Sequence, residues 1–206
     1  MVTLRTATIA DRAAADALLS ECSLPALDEG AQFGGQYVLA VQDESGAPAG
    51  MAGLEVRGGG NATRQIIDIL PPAAAADRLL VCEVLTPAGN WSSYPPHKHD
   101  RHAPPVEADL DETYYYRFSG PDGYGFQRLY TADGRSDRTL RVTDGDLVLV
   151  RDGYHPFVAA PGFDAYYLNT LAGSVRSMAA TDDPRYAHLR KNWPPPDARV
   201  PMIPRP

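Results

Sequence analysis

The sequence predicts a mainly β fold, in which a barrel or sandwich of short strands follows a small α/β segment. Two observations support this prediction. From Gly58 onward, short runs rich in Val, Leu, Tyr and Phe alternate with turns rich in Gly, Asp and Pro, as in all-β barrels and sandwiches. The 206 residues are 44% hydrophobic, which is enough to bury a core.

Charge and composition argue against several classes of protein. The formal net charge of -7 argues against nucleic acid and anionic membranes as partners, because both need basic patches. The two cysteines form no CxxC pair, which fits a reduced cytosol. No run of 18 apolar residues exists, and the N-terminus has no apolar signal-peptide core. We therefore expect a cytoplasmic protein without a membrane-spanning helix.

The first segment, residues 1–57, combines helix and strand patterns. Residues 8–22 carry apolar residues at helical spacing behind a capping-box pattern at Thr8. Residues 36–41 and 49–56 are predicted to form two strands around a polar turn. This order resembles the first half of the acyl-CoA N-acetyltransferase (GNAT) fold. The glycine-rich loop that would hold the pyrophosphate of coenzyme A is missing, so we expect only a partial segment of that fold.

The remainder divides into a β-rich part, residues 58–180, and a proline-rich part, residues 181–206. The predicted strands are contained in the runs RLLVCEVLT, ETYYYRF, GFQRLY, TLRV, DLVLV, YHPFVAA and DAYYLNTL. Turn sequences such as GPDGYG, TADGRSD and TDGD separate them. We expect residues 181–206 to run extended over a surface of the molecule or of a neighbouring subunit.

Two histidines, His97 and His99, stand one residue apart in the stretch WSSYPPHKH. Side chains two residues apart on a strand point to the same face, so both imidazoles should face one way. Glu112 begins the run ETYYYRF, where it shares a face with Tyr114 and Tyr116. A carboxylate and two tyrosines are therefore expected to face the interior of the barrel.

A third histidine, His155, follows a tight turn at Asp152 and Gly153, at the start of a further strand. Three imidazoles and one carboxylate suit a divalent metal ion such as Zn, Mn or Fe, with coordination positions left for water or substrate. The alternative interpretation is a histidine pair on the surface that holds no ion. We predict a metal site whose ligands are His97, His99, Glu112 and His155.

A histidine pair on one strand, a glutamate on the next and a distal histidine is the arrangement of the cupin family. More closely, GNWSSYPPHKHD, ETYYYRF, GFQRLYT, DGDLVLVRDGYHP and YYLNTLAG resemble the metal-bearing second half of the 5-deoxy-glucuronate isomerase (IolB) family. The resemblance covers residues 58–190 and implies that residues 58–180 form a cupin, or jelly-roll, barrel. The first barrel of that family is not expected here, where the GNAT-like segment stands.

The resemblance implies an aldose–ketose isomerisation in inositol catabolism, from 5-deoxy-D-glucuronate to 5-dehydro-2-deoxy-D-gluconate. The partner would be a small sugar acid, and a homo-oligomer is a further expectation. One alternative is a cupin that binds sugar acids or regulates without catalysis. The other is a GNAT-type N-acetyltransferase, against which the missing coenzyme A loop counts.

The sequence does not identify the base that would move a proton between C2 and C1. The candidate catalytic residues are Tyr114, Tyr116 and Tyr154, with Tyr167, Asp100 and Glu107 as alternatives. The candidate substrate-binding residues are Arg128, Lys98 and Tyr167. Arg128 stands out because its strand should neighbour ETYYYRF and because a substrate carboxylate needs a cation. For each of these residues, packing or solvation is the simpler interpretation.

Overall fold

The computed structural model describes residues 2–6, 37–42 and 47–202, together with residues 10, 13, 14 and 17. The chain divides into two compact units, one of Met1–Val56 with Pro201–Pro206 and one of Arg57–Val200. Among the described residues, no helix is long and apolar enough to cross a membrane.

The described part of the first unit contains three strands, β1 (Val2–Thr6), β2 (Tyr37–Gln42) and β3 (Ala47–Arg57). β1 pairs with β2 and β2 pairs with β3, both antiparallel. The strands predicted at residues 36–41 and 49–56 are confirmed. Within the helix predicted at residues 8–22, residues 13, 14 and 17 are helical, and most of that range lies outside the described residues.

Strands are the main regular elements of the second unit. These are β4 (Arg64–Leu70), β5 (Leu79–Thr86), β6 (Trp91–Ser92), β7 (His97–Lys98), β8 (Asp100–Ala103), β9 (Glu107–Phe118), β10 (Tyr124–Tyr130), β11 (Asp137–Thr143), β12 (Leu147–Val150), β13 (Phe157–Ala159), β14 (Ala165–Gly173) and β15 (Thr181–Asp182). Each predicted β-rich run of residues 58–180 contains one of them.

Two larger antiparallel sheets form the body of this unit, beside the two-stranded pair β15-β7. One has the strand order β4-β5-β14-β9-β12, with β8 paired to β9, and the other has the order β11-β10-β13-β6. Their inner faces share one apolar core. In it, Tyr116 of the first sheet packs against Phe157 of the second, with ring centroids 4.9 Å apart. Two sheets around one core are a jelly-roll barrel, and the predicted fold class is confirmed.

Strand β9 shows how the sequence positions the interior. Its side chains alternate between buried and exposed from Leu110 to Arg117. Because successive side chains of a strand point to opposite faces, Glu112, Tyr114 and Tyr116 all point inward. Strands β14 and β12 flank β9 and fix its register on both sides. The predicted inward orientation of Glu112 is confirmed.

Residues 181–200 belong to the second unit. β15 pairs with β7, and a 3-10 helix follows over Ala187–Asn192. The backbone N–H of Asp183 donates to the carbonyl of Pro96 at 2.8 Å, and its carboxylate accepts from the hydroxyl of Tyr130 at 2.7 Å. The domain limits given by the sequence stay predictions.

Candidate metal centre

Three buried side chains from separate parts of the barrel meet at one point. Glu112 lies on β9, His99 lies between β7 and β8, and His155 precedes β13. Nε2 of His99 lies 2.7 Å from Glu112 Oε2, and Nε2 of His155 lies 3.2 Å from the same oxygen. One ligand atom from each residue lies within 4.8 Å of the others. A single divalent ion can be held by three atoms at this spacing.

The three histidines of the predicted site each point Nδ1 away from the site. Nδ1 of each histidine lies 3.0–3.2 Å from a backbone carbonyl oxygen. The pairs are His97 with Pro95, His99 with Leu110 and His155 with Gly153. Because a carbonyl only accepts, this pairing places a proton on Nδ1 of each ring. It leaves a lone pair on Nε2 of His97 and of His155, whereas Nε2 of His99 faces the Glu112 carboxylate at 2.7 Å and would release its proton on binding an ion. Metal-binding histidines are oriented in this way by their outer partners.

The unsatisfied nitrogen of His155 fits a metal ligand. His155 is fully buried, and its Nε2 has no hydrogen-bond partner of acceptable geometry among the described residues. The contact with Glu112 Oε2 at 3.2 Å is close but does not satisfy it. A buried polar atom without a partner costs free energy, which a bound cation would offset. The buried His-Glu-His group is therefore compatible with a divalent metal ion.

The protonation states of Glu112 and His155 are those that metal ligands require. Burial would raise the pKa of Glu112, but the charges of His155 and His99 outweigh it and lower that pKa to about 2. Burial lowers the pKa of His155. Burial also acts to lower the pKa of His99, but the hydrogen bond to Glu112 outweighs it and raises that pKa. At neutral pH the carboxylate is ionised and His155 is neutral, as metal binding demands.

Asn169 holds the other oxygen of Glu112 and was missed by the sequence analysis. Its Nδ2 donates to Glu112 Oε1 at 2.6 Å and to the carbonyl of Thr113 at 3.1 Å. The signal was available in YYLNTL, where a polar residue occupies a buried position of β14 between Tyr167 and Leu171. A buried polar side chain at an apolar position requires a partner.

His97 lies beside the His-Glu-His group without belonging to it. Its ring centroid is 5.0 Å from that of His155 and 6.5 Å from that of His99. Burial lowers its pKa well below the ordinary value, which keeps the ring neutral. Strand pairing ends at Lys98, so the two imidazoles of the HxH pair are not presented by one regular strand. The role of His97 as a fourth ligand stays a prediction.

Comparison with known proteins decides the family. The model of the KduI/IolB family matches residues 40–189. The chain belongs to the KduI/IolB family. The 5-deoxy-glucuronate isomerase of Geobacillus thermodenitrificans is 53% identical over 137 residues, which cover 66% of this chain and 50% of that protein. The 5-deoxy-glucuronate isomerase of Halalkalibacterium halodurans is 47% identical over 135 residues, with 65% and 50% covered.

A solved structure of the same family supports this assignment. The crystal structure of an IolB-like protein from Salmonella typhimurium LT2 superposes with a TM-score of 0.66 and 44% sequence identity. The match covers 68% of this chain and 53% of that chain. The chain thus spans about half the length of the KduI/IolB relatives that it matches. The family match begins at residue 40, inside the segment that resembles the GNAT fold, and the GNAT resemblance is not supported.

The tyrosines predicted as catalytic residues of this KduI/IolB barrel differ in their surroundings. Tyr114 is buried, with its hydroxyl 3.1 Å from Ser93 Oγ and its ring centroid 6.0 Å from that of His155. Tyr116 donates to Gln127 Oε1 at 3.0 Å within the core. Tyr154 is buried against the ring of Tyr130. Of the three, the structure brings Tyr114 closest to the His-Glu-His group by direct ring contact with His155.

The predicted substrate-binding residues are also separated by the structure. Tyr167 is buried in the core, with its hydroxyl 2.9 Å from Ser92 Oγ. Lys98 pairs with two carboxylates. Arg128 forms a bidentate ion pair with Asp137 on the surface. On β10, Arg128 directly follows Gln127, which points inward. Neighbouring strand residues face opposite ways, so this placement disfavours Arg128 as a ligand of a substrate at the metal centre.

Proposed function

We propose that this chain is a metal-dependent isomerase that converts 5-deoxy-D-glucuronate to 5-dehydro-2-deoxy-D-gluconate in inositol catabolism. The observation that carries the proposal is the buried group His99, Glu112 and His155, in which Nε2 of both rings faces one carboxylate oxygen. The names of the related isomerases supply the substrate. A cytoplasmic location and a homo-oligomer stay predictions.

The metal ligands of this proposal are His99, Glu112 and His155, with His97 as the fourth. A divalent ion such as Zn, Mn or Fe would supply Lewis-acid stabilisation of the negative charge that develops on the substrate oxygens. The protein's part is to direct Nε2 of each imidazole at the site and to keep the carboxylate ionised. The backbone carbonyls behind each ring and the amide of Asn169 do this.

An aldose–ketose isomerisation moves a proton between two neighbouring carbons, and Tyr114 is the candidate that the structure favours to assist it. Burial, with the negative charge of Glu112, raises the pKa of Tyr114 well above its ordinary value. The phenol therefore keeps its proton and suits the donation of a hydrogen bond to a substrate oxygen rather than proton abstraction. Ser93 fixes the direction of that hydroxyl.

A second candidate function is sugar-acid binding without turnover. The observation in its favour is that burial raises the pKa of Tyr114 and of Tyr116 well above the ordinary value, so that neither phenol is suited to act as the base. The two functions share the metal site and differ in whether product appears. The substrate assay below separates them.

The test is an isomerase assay on protein loaded with Mn, Zn or Fe, using 5-deoxy-D-glucuronate and detecting the ketose product. We expect product with the wild type and none with His155→Gln, which removes a ligand nitrogen. His188→Gln, at an exposed histidine of the 3-10 helix, is the matched control and should retain activity. Metal-loaded protein that binds the sugar acid without forming product would favour the binding function. Protein that takes up no divalent ion would refute both.

A further inference from the structure

Three charged side chains form a compact cluster next to the metal ligands in the chain. Lys98 and Asp100 flank His99, and the ammonium of Lys98 contacts Asp100 Oδ1. The same ammonium lies 2.7 Å from Oε1 of Glu107, which is fully buried. That oxygen also accepts the backbone N–H of Asp100 at 3.1 Å. The three side chains therefore pair with one another through Oε1 of Glu107, while its buried Oε2 has no hydrogen-bond partner among the described residues.

Asp100 connects this cluster to His155 across the fold. Its second oxygen, Oδ2, accepts the backbone N–H of Gly153 at 2.8 Å. The carbonyl of Gly153 in turn accepts Nδ1–H of His155 at 3.0 Å. Two consecutive hydrogen bonds therefore join a residue beside His99 to the distal histidine. The connection cannot be seen in either segment alone, because Asp100 and Gly153 are 53 positions apart in the chain.

The cluster is also tied to the strand that carries the acidic ligand. Glu107 begins β9, and Glu112 lies farther along the same strand. Between them, Leu110 donates its N–H to the carbonyl of His99 at 2.9 Å and accepts Nδ1–H of His99 at 3.2 Å. All three chain segments that bear the His-Glu-His group therefore meet at Lys98, Asp100 and Glu107.

We propose that Lys98, Asp100 and Glu107 form a brace that holds His155 in position against His99 and Glu112 and thereby sets the metal affinity of the centre. They are positioning residues, because none of them points a ligand atom at the His-Glu-His group. The inference rests on the proposed metal site. It replaces the predicted roles of Lys98 in substrate binding and of Asp100 and Glu107 as bases.

Asp100 is the residue to test, because it alone joins the other two to the turn of His155. Asp100→Ala removes the acceptor of the Gly153 N–H. Loss of the direct outer partner of a metal-binding histidine weakens metal binding by about 10- to 100-fold. Asp100 acts through Gly153, one hydrogen bond farther from His155, so we expect a loss near the lower end of that range. Asp100→Asn keeps an oxygen that can accept from Gly153, although its amide faces the Lys98 ammonium. We expect a smaller loss of affinity for Asp100→Asn than for Asp100→Ala.

The matched control is Asp144→Ala. Asp144 also pairs with a cation and a backbone N–H, since it accepts from Arg117 Nε at 2.8 Å and from the N–H of Phe118 at 3.0 Å. Its hydrogen bonds involve no proposed metal ligand. The dissociation constant for Co²⁺ is measured on the full chain by competition with a chelator, together with the visible absorption of the Co²⁺ complex. Asp144→Ala should leave both unchanged.

A second measurement on metal-free protein keeps this inference distinct from the proposed metal site. The ¹⁵N shifts of the His155 ring report its tautomer, which should be Nδ1–H in the wild type and mixed in Asp100→Ala. If the wild type binds no Co²⁺ but the tautomer responds, the metal proposal fails and the positioning role stands. Unchanged Co²⁺ affinity in Asp100→Ala would overturn the brace, as would an unchanged His155 tautomer in a protein that binds no Co²⁺.

Discussion

Asn169 donates a hydrogen bond of 2.6 Å to Oε1 of Glu112, while Oε2 of the same carboxylate faces the ring nitrogens of His99 and His155. The two carboxylate oxygens therefore have separate tasks. Oε1 is held in place by Asn169, and Oε2 faces the position where a metal ion would bind. The amide lies on β14 and the carboxylate on β9, so the pairing of these two strands determines the orientation of the acidic ligand.

Asn169→Ala should weaken metal binding without removing a ligand. The Glu112 carboxylate would lose its donor on Oε1 and gain freedom to rotate away from the histidines. We expect about a 10- to 100-fold rise in the dissociation constant for Co²⁺ or Zn²⁺, measured by chelator competition. Asn192→Ala, an exposed asparagine at the end of the 3-10 helix, serves as the control. Equal affinities for the two variants would show that Asn169 does not orient the ligand.

Divalent metal should raise the thermal stability of the protein through its native-state site. A ligand that binds only the folded chain at about 1,000 times its dissociation constant contributes about 4 kcal/mol to the free energy of unfolding. Differential scanning calorimetry with and without a chelator measures the shift. In His155→Gln the shift should shrink strongly, because the buried Nε2 is gone. A full shift in that variant would place the bound ion elsewhere.

The sequence predicted those parts of the site that depend on local pattern. Alternation along ETYYYRF was enough to turn Glu112 inward, and the turn before His155 was visible as Asp152 and Gly153. The contacts it missed depend on strand register between distant segments. Asn169 meets Glu112 across 57 residues, and Asp100 meets Gly153 across 53.

The prediction for Arg128 also depends on strand register. Its strand contributes to the core, but no pattern in GFQRLY indicates which of its residues face inward. The structure directs Gln127 to the core, where it accepts from Tyr116, and leaves Arg128 to Asp137 on the next strand. A one-residue shift in register turns every side chain of a strand to the opposite face. The expected adjacency of the GFQRLY and ETYYYRF strands was therefore not enough to predict that Arg128 contacts a substrate.

Gly153→Ala should destabilise the fold more than Gly145→Ala, although both glycines have positive φ. Their φ angles are +79° and +86°, so an alanine at either position costs about 1–2 kcal/mol of backbone strain. A Cβ on Gly153 would also lie 2.4 Å from the carbonyl oxygen of Tyr130, whereas one on Gly145 would meet nothing within 4 Å. Forced overlap adds about 1–3 kcal/mol.

Urea unfolding of the two alanine variants measures this difference, and metal affinity gives a second comparison. Because Gly153 also links Asp100 to His155, its alanine variant should lose metal affinity as well as stability. Gly145→Ala should lose only the backbone contribution. Similar free energies of unfolding for the two variants would mean that the Tyr130 carbonyl moves away from the added Cβ at no cost in stability.

Asp183 should make the fold sensitive to acid in a defined window. Burial would raise its pKa, but hydrogen bonds from Arg185 and from the hydroxyl of Tyr130 outweigh burial and lower the pKa to about 2. The folded-state pKa lies below the ordinary carboxyl value, so the folded state prefers the ionised form. The resulting stabilisation is fully present above about pH 4 and is lost as the pH falls toward 2.

Asp183→Asn tests this dependence because it removes the charge and keeps the shape. A shift of this size corresponds to about 2 kcal/mol, and Asp183 is only 2% exposed, so solvent screening is small. The free energy of unfolding of the wild type, followed by urea titration at pH values between 2 and 5, should therefore fall more steeply with acid than that of Asp183→Asn. Asp122→Asn, at an exposed turn, should follow the wild-type curve. Parallel curves for the wild type and Asp183→Asn would show that the contacts of Asp183 with Tyr130 and Arg185 do not favour its ionised form.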